Sequence, residues 1–439
     1  MLDSPTMTAI KLWGSVFSGF GALGLGMSLL LGGLLSACES KRAEPAAGTA
    51  TTSASASPST PEPEPKPGPA PAAPGPVKIG LIAPFSGPFA GAGKQIEGGV
   101  RAWLDQHGGK VAGREIELLV KDVTGVAPDV AKSLAQGLIV RDKVDFLAGF
   151  VLTPNALAVA PLATEAKKPM VIMNAATSVI TTKSPYVVRV SFTLPQVSAP
   201  LASWAAKNGI KSVYTLVSDY APGADAEGQF KKTFEAAGGK IVDSLRVPVQ
   251  NPDFAPYIQR IKDKKPQAVF IFVPAGAQGT AFLKAFQERG LSKQGIRVLA
   301  TGDVTEDQEL DAMGDAALGV VTTHHYSAAH DSPENTAFKQ AFSKVTGGKV
   351  RANFMAVGGY DGMAAIAQVI EKLGGQIDGD RAMEAFKGLQ LQSPRGPIRI
   401  DPETRDVIQT VYVRKVEQRP DGFYNVEFDH FDEQKDPGK

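Results

Sequence analysis

From Val77 onward, short apolar runs recur that are nearly continuous rather than alternating in polarity, and amphipathic stretches separate them. A strand that is apolar on both faces has to be covered on both. The pattern therefore calls for a largely parallel sheet with helices packed on each side, an α/β architecture. The runs at 77–83, 115–121, 144–150, 170–173, 212–217, 239–247, 268–273, 296–300 and 318–323 read as strands. Helical periodicity fills the gaps. Val130, Leu134, Leu138 and Val140 form one stripe after Pro128 and Asp129. Phe230, Phe234 and Ala237 form a second that stops at Gly238-Gly239, and Phe282, Leu283, Phe286 and Arg289 form a third before Gly290. Ser332 and Pro333 have the form of an N-cap and first helical position, opening a helix through Phe338 and Phe342.

The rhythm breaks twice. An extended run at 187–192 ends in Thr193-Leu194-Pro195, and a second break follows Thr323 at His324-His325-Tyr326. Both read as passages between lobes, which predicts two α/β lobes with more than one connecting strand, a shape suited to closing on a ligand.

Ahead of this region, Lys11 is the one positive charge before an apolar run at 16–35, the form of a secretory signal. The run ends in Leu35-Ser36-Ala37-Cys38, which is similar to the lipobox of bacterial lipoproteins. That similarity implies a leader over 1–37, an acylated Cys38 and a domain held at the outer face of a membrane. Residues 38–76 are rich in Ala, Ser, Thr and Glu, with Pro61, Pro63, Pro65, Pro67, Pro69, Pro71, Pro74 and Pro76, and cannot build a core. They read as a disordered tether reaching up to roughly 100 Å. Cys38 is the single cysteine, so neither an internal disulfide nor a thiolate nucleophile is available. The formal net charge of +1 offers no basic footprint for nucleic acid.

Two glycine motifs carry no chemistry. Gly19-Phe20-Gly21-Ala22-Leu23-Gly24 matches a dinucleotide fingerprint but lies in the leader with no strand before it. The stretch around Gly93-Lys94 has Pro88 where a phosphate loop needs glycine and Gln95 where it needs a hydroxyl. His107, His324, His325, His330 and His430 have no metal-ligand spacing, and no Gly-x-Ser-x-Gly elbow occurs. With no nucleophile–base pair, metal site or cofactor motif, the sequence argues against an enzyme. What remains are small polar residues just past strand ends, where open α/β sheets bind ligands. They are Thr153 to Asn155, Asn174 to Ser178, Ser218 to Gly223 and Thr301 to Asp303. Hydroxyls and free amides at helix starts favour an anion, although Thr153 and Thr177 are equally well placed as plain helix caps.

In this order, these segments resemble the branched-chain amino acid group of periplasmic solute-binding proteins, the receptors of ABC importers. The most specific pieces are Ile79-Gly80 through Ser86-Gly87-Pro88 with Gly93; Gly149-Phe150 to Thr153; Pro169-Met170 through Thr177; Asp219-Tyr220 with Gly223; and Asp253-Phe254. The resemblance implies two Rossmann-like lobes of the type I periplasmic binding fold joined by three crossovers. The first lobe would hold 77–194 plus 326–399 and the second 195–325 plus 400–439. It implies that Thr153, Thr177 and a main-chain group at Ala175 hold a ligand carboxylate, that Tyr220 closes over the ligand, and that Asp303 pairs with its ammonium. Phe354 completes the candidate ligand-binding set. The family's leucine binders carry aromatic side chains where Ala92 and Ala275 or Gly276 align, so the cavity here has room for a bulkier acid. The leading expectation is a receptor for a branched-chain or other hydrophobic amino acid, partnered by permease and ATPase subunits and needing no cofactor. The alternatives are an aromatic or other organic acid without an amine, and a ligand sensor.

Overall fold

The computed structural model describes residues 75–439; Cys38, the leader and nearly all of the tether lie outside the described residues. The elements run β1 (Val77–Ala83), α1 (Ala90–Gln106), β2 (Lys110–Val111), β3 (Arg114–Asp122), α2 (Pro128–Val140), β4 (Phe146–Gly149), α3 (Thr153–Glu165), β5 (Met170–Ile172) and β6 (Val187–Arg189). They continue with α4 (Leu194–Lys207), β7 (Ser212–Ser218), α5 (Ala221–Ala236), β8 (Lys240–Val247), α6 (Ala255–Lys264), β9 (Ala268–Phe272), α7 (Ala277–Glu288), β10 (Arg297–Thr301), α8 (Leu310–Met313) and β11 (Val321–His324). The chain closes with α9 (Pro333–Thr346), α10 (Phe354–Lys372), α11 (Gly379–Phe386), β12 (Gln390–Ser393), β13 (Gly396–Ile400), β14 (Val407–Arg419) and β15 (Gly422–Gln434).

Two sheets organise these elements into two lobes. The smaller has the order β2-β3-β1-β4-β5-β6 and is parallel apart from the β2–β3 hairpin. The larger has the order β12-β13-β14-β11-β10-β9-β7-β8, with β15 paired to β14. Its β8-β7-β9-β10-β11 portion is parallel and the rest antiparallel. Strand β9 shows why its sequence is apolar throughout: Ala268, Phe270 and Phe272 enter one apolar cluster, and Val269 and Ile271 enter another on the opposite face. In each parallel sheet the chain reverses direction of growth beside the first strand, so the loops after β1 and β4, and after β7 and β9, open at a switch point.

Every run read as a strand is one, and the Ser332 cap is present, its side chain accepting from the Asn335 amide. Three expectations change. The buried face of α2 is Ala131, Ala135 and Leu138, whereas Val130 is 43% and Val140 75% exposed. The antiparallel strands β12 to β15 were not expected, because they carry polar residues on one face and lack the two-sided apolar signal. Finally, β12 and β13, which a boundary at 399 assigns to the first lobe, hydrogen-bond into the larger sheet. The chain passes between the lobes after β6, after β11 and after α11.

Candidate functional site

The smaller sheet delivers its candidates from adjacent strand ends. Thr153 opens α3 after β4, with Pro154 in the first turn, where its missing N–H costs nothing. Thr177 follows β5 and precedes a short 3-10 turn over Ser178–Lys183. Neither hydroxyl caps its helix. Both side chains are buried, and the two Oγ1 atoms lie 2.8 Å apart, hydrogen-bonded to each other. One hydroxyl donates to its partner, which leaves the other's proton free for an acceptor. The Thr177 carbonyl accepts from the guanidinium of Arg189 at 2.8 Å, and Arg189 also pairs with Asp406 at 3.0 Å, both fully buried. The Ala175 amide donates to the Phe150 carbonyl and the Ala175 carbonyl can only accept, so Ala175 offers no free main-chain donor to a carboxylate, contrary to the expectation from the resemblance.

The larger sheet supplies Tyr220 and Asp303. Tyr220 is the N-cap position of α5, and its ring stacks 6.1 Å from Phe272 at the end of β9. The helix approaches β7 so closely at Gly223 that a Cβ there would stand 1.9 Å from the Ser218 carbonyl oxygen, which fixes how far Tyr220 projects. Burial, reinforced by the Asp303 charge, keeps the Tyr220 phenol protonated well above its ordinary range. Asp303, past β10, accepts from Thr301 Oγ1 at 2.9 Å. Burial raises its carboxyl to about 6, against the lowering effects of the Thr301 bond and of Arg414.

Beside Asp303 sits an aromatic cluster of which sequence reasoning assigned Phe354 to the site but not Phe192, His324 or His325. Phe354, the first residue of α10, lies 4.4 Å from the His324 ring and 5.9 Å from Phe192. His324 is followed by His325, both completely buried. Burial, together with Arg414 and Arg395, holds the His324 imidazole neutral, and burial with His324 and Arg395 does the same for His325. His324 Nε2 is 3.9 Å from Asp303 Oδ2. Thus Asp303 and Phe354 are joined through His324, Tyr220 stacks on Phe272, and Thr153 and Thr177 form a separate pair.

Side chains from the two lobes meet directly. The Ser178 amide, next to Thr177, donates to Asp225 in α5 at 2.9 Å, and Gln95 in α1 donates to Gln308 at 2.8 Å. Asn353, which caps α10, also donates to Glu306 at 2.5 Å. Burial raises the Glu306 carboxyl to about 8, outweighing the hydrogen bonds from Asn353 and Gln308, with still smaller upward pushes from Asp307 and Glu309. Beside this contact lies a cavity of about 260 Å³ whose wall includes Phe89, Ala92, Ala275, Gly276, Glu306 and Met355. Ala92, Tyr220 and Ala275 are partly buried against the same apolar core that contains Phe354, Ala175 and Phe192. The charged residues Arg189 and Glu306 gave little warning in sequence, although Arg189 interrupts an otherwise apolar run.

Residues 76–422 match the family described as periplasmic binding protein. The chain is 48% identical over 363 residues to the Leu/Ile/Val-binding protein homolog 6 of Brucella melitensis, covering 82% of this chain and 93% of that protein. A solute-binding protein of an ABC transporter from Rhodopseudomonas palustris, solved with 3,4-dihydroxybenzoic acid, is 56% identical with a TM-score of 0.80, covering 82% of this chain and 99% of the other. A second from the same species, solved with p-hydroxybenzoic acid, is 47% identical with a TM-score of 0.80 and covers 82% and 98%. The match across both lobes makes this chain a member of the periplasmic binding protein family, with the type I fold of ABC-transporter solute-binding proteins.

Proposed function

We propose that the protein receives a small aromatic carboxylate of the benzoate class between its lobes and presents it to an importer permease driven by an ATPase. The observation that carries this reading is the cavity walled by Ala92, Ala275 and Gly276, where leucine binders are expected to have aromatic walls. A flat ring fills the space those side chains leave. The Thr153–Thr177 pair supplies hydroxyl donors for the carboxylate, each charge-assisted bond contributing about 1.5–3 kcal/mol. Tyr220 and Phe354 flank the ring with offset or edge contacts. The two Rhodopseudomonas palustris relatives solved with hydroxybenzoic acids support the same class.

A second reading, a hydrophobic amino acid, is favoured by the name of the Brucella melitensis relative and by Asp303, a buried carboxylate suited to an ammonium. A thermal-shift screen separates them, because a ligand that binds only the folded state raises the midpoint. Benzoate and 4-hydroxybenzoate raise it and leucine and phenylalanine do not, on the first reading; the reverse result establishes the second. For location, the reading includes a lipid on Cys38 and a proline-rich tether. Cys38→Ser then moves the protein from the membrane fraction to the soluble fraction, and unchanged fractionation rejects the anchor.

A further inference from the structure

The far end of the candidate site contains buried polar groups with no partner. Both ring nitrogens of His324 and both of His325 lack a hydrogen-bond partner among the described residues, although the rings are completely buried. Buried polar groups are almost always satisfied, so an unpaired imidazole beside a ligand site points to a group brought by the ligand. His324 is the one directed at a second polar atom: its Nε2 stands 3.9 Å from Asp303 Oδ2, too long for a direct hydrogen bond. A hydroxyl oxygen seated at about 2.8 Å from each atom spans that gap. It donates its proton to the carboxylate and accepts the imidazole N–H. The neutral imidazole retains one donor and one acceptor, so it can serve a hydroxyl in this way.

The placement explains why such a ligand closes the lobes. Thr153 and Thr177 come from β4 and β5 of the smaller sheet, whereas Asp303 and His324 end the neighbouring strands β10 and β11 of the larger one. A ring with a carboxylate at one end and a hydroxyl at the other satisfies both lobes at once. Phe192 and Phe354 line His324 with apolar edges, so a ring lacking the hydroxyl leaves His324 desolvated and unpaired and Asp303 with only its bond from Thr301.

We infer that His324 and Asp303 form a hydroxyl-reading pole, and that the ligands this protein selects are aromatic acids bearing a hydroxyl opposite the carboxylate. The inference rests on the aromatic-acid reading above. Titration calorimetry on the full chain with benzoate and with 4-hydroxybenzoate tests it. Wild type binds 4-hydroxybenzoate at least about tenfold more tightly than benzoate, since a site built to hydrogen-bond a hydroxyl rejects the analogue without it. In His324→Phe and, independently, Asp303→Asn, that ratio falls toward one, with the circular dichroism spectrum checking that each variant is folded. If wild type binds neither acid, the aromatic-acid reading itself fails. If it binds both equally, the reading stands and the hydroxyl pole is overturned. If the preference persists in either folded variant, that residue does not read the hydroxyl and the paired pole is overturned.

Discussion

At the scale of single residues, the proposed site turns on two hydroxyls that bond each other instead of capping their helices. The alternative that Thr153 and Thr177 are only caps fails on geometry, since neither side chain accepts from its own helix start. The double substitution Thr153→Val with Thr177→Val keeps volume and removes both donors. It lowers ligand affinity by at least about a hundredfold, or ~3 kcal/mol, while leaving the fold intact; full affinity in calorimetry places the anion elsewhere. Glu306 gives a pH signature. Its carboxyl is raised from 4.5 to about 8 in the folded protein, so the folded state binds the proton more tightly than the unfolded chain. Its stabilising contribution is complete below about 4.5 and disappears as pH rises through about 8. Relative to Glu306→Gln, wild type should therefore lose stability between pH 5 and pH 8 in denaturant titrations. A difference independent of pH rejects the assignment. Neither Arg189 nor Glu306 was assigned a role from sequence, because a lone charge in a chain says nothing about its partner until Thr177 and Asn353 are brought beside it.

At the scale of elements, parallel strands were legible and antiparallel ones were not. The runs that became β1, β4, β7 and β9 are apolar on both faces and announce themselves. Strand β15 instead leaves Phe428 48% exposed and mixes it with charged residues, so its pattern resembles a loop. The α2 stripe was misjudged for a related reason: small alanines, not the larger valines, face the sheet. Helix packing positions the site as well. Helices α1 and α10 come together through glycines, and a Cβ on Gly359 would stand 2.2 Å from the Ile96 carbonyl oxygen. Because Phe354 and Asn353 sit at the N-terminal end of α10, pushing the helices apart displaces both. Gly359→Ala should destabilise the protein by about 3 kcal/mol, the upper end of overpacking costs, and weaken ligand binding in parallel. Unchanged stability would mean that the helices can separate freely.

At the scale of the whole molecule, two lobes present complementary edges of one cleft. On the proposed reading the first offers paired hydroxyls and the second a tyrosine, a carboxylate and a neutral imidazole; Ser178–Asp225 and Gln95–Gln308 join the lobes. The two-lobed architecture was foreseeable from alternating elements and two breaks in rhythm. The ligand was less so, because small residues such as Ala92 and Gly276 act by what they leave empty, and a sequence does not display a cavity. The receptor role is fixed by family membership, whereas the aromatic acid is the central claim. Its most direct test is titration of unfolded, ligand-stripped and refolded full-length protein with 4-hydroxybenzoate and with leucine in a calorimeter. Saturable binding of 4-hydroxybenzoate with no heat from leucine is the predicted result, and saturable binding of leucine with none from 4-hydroxybenzoate would contradict it.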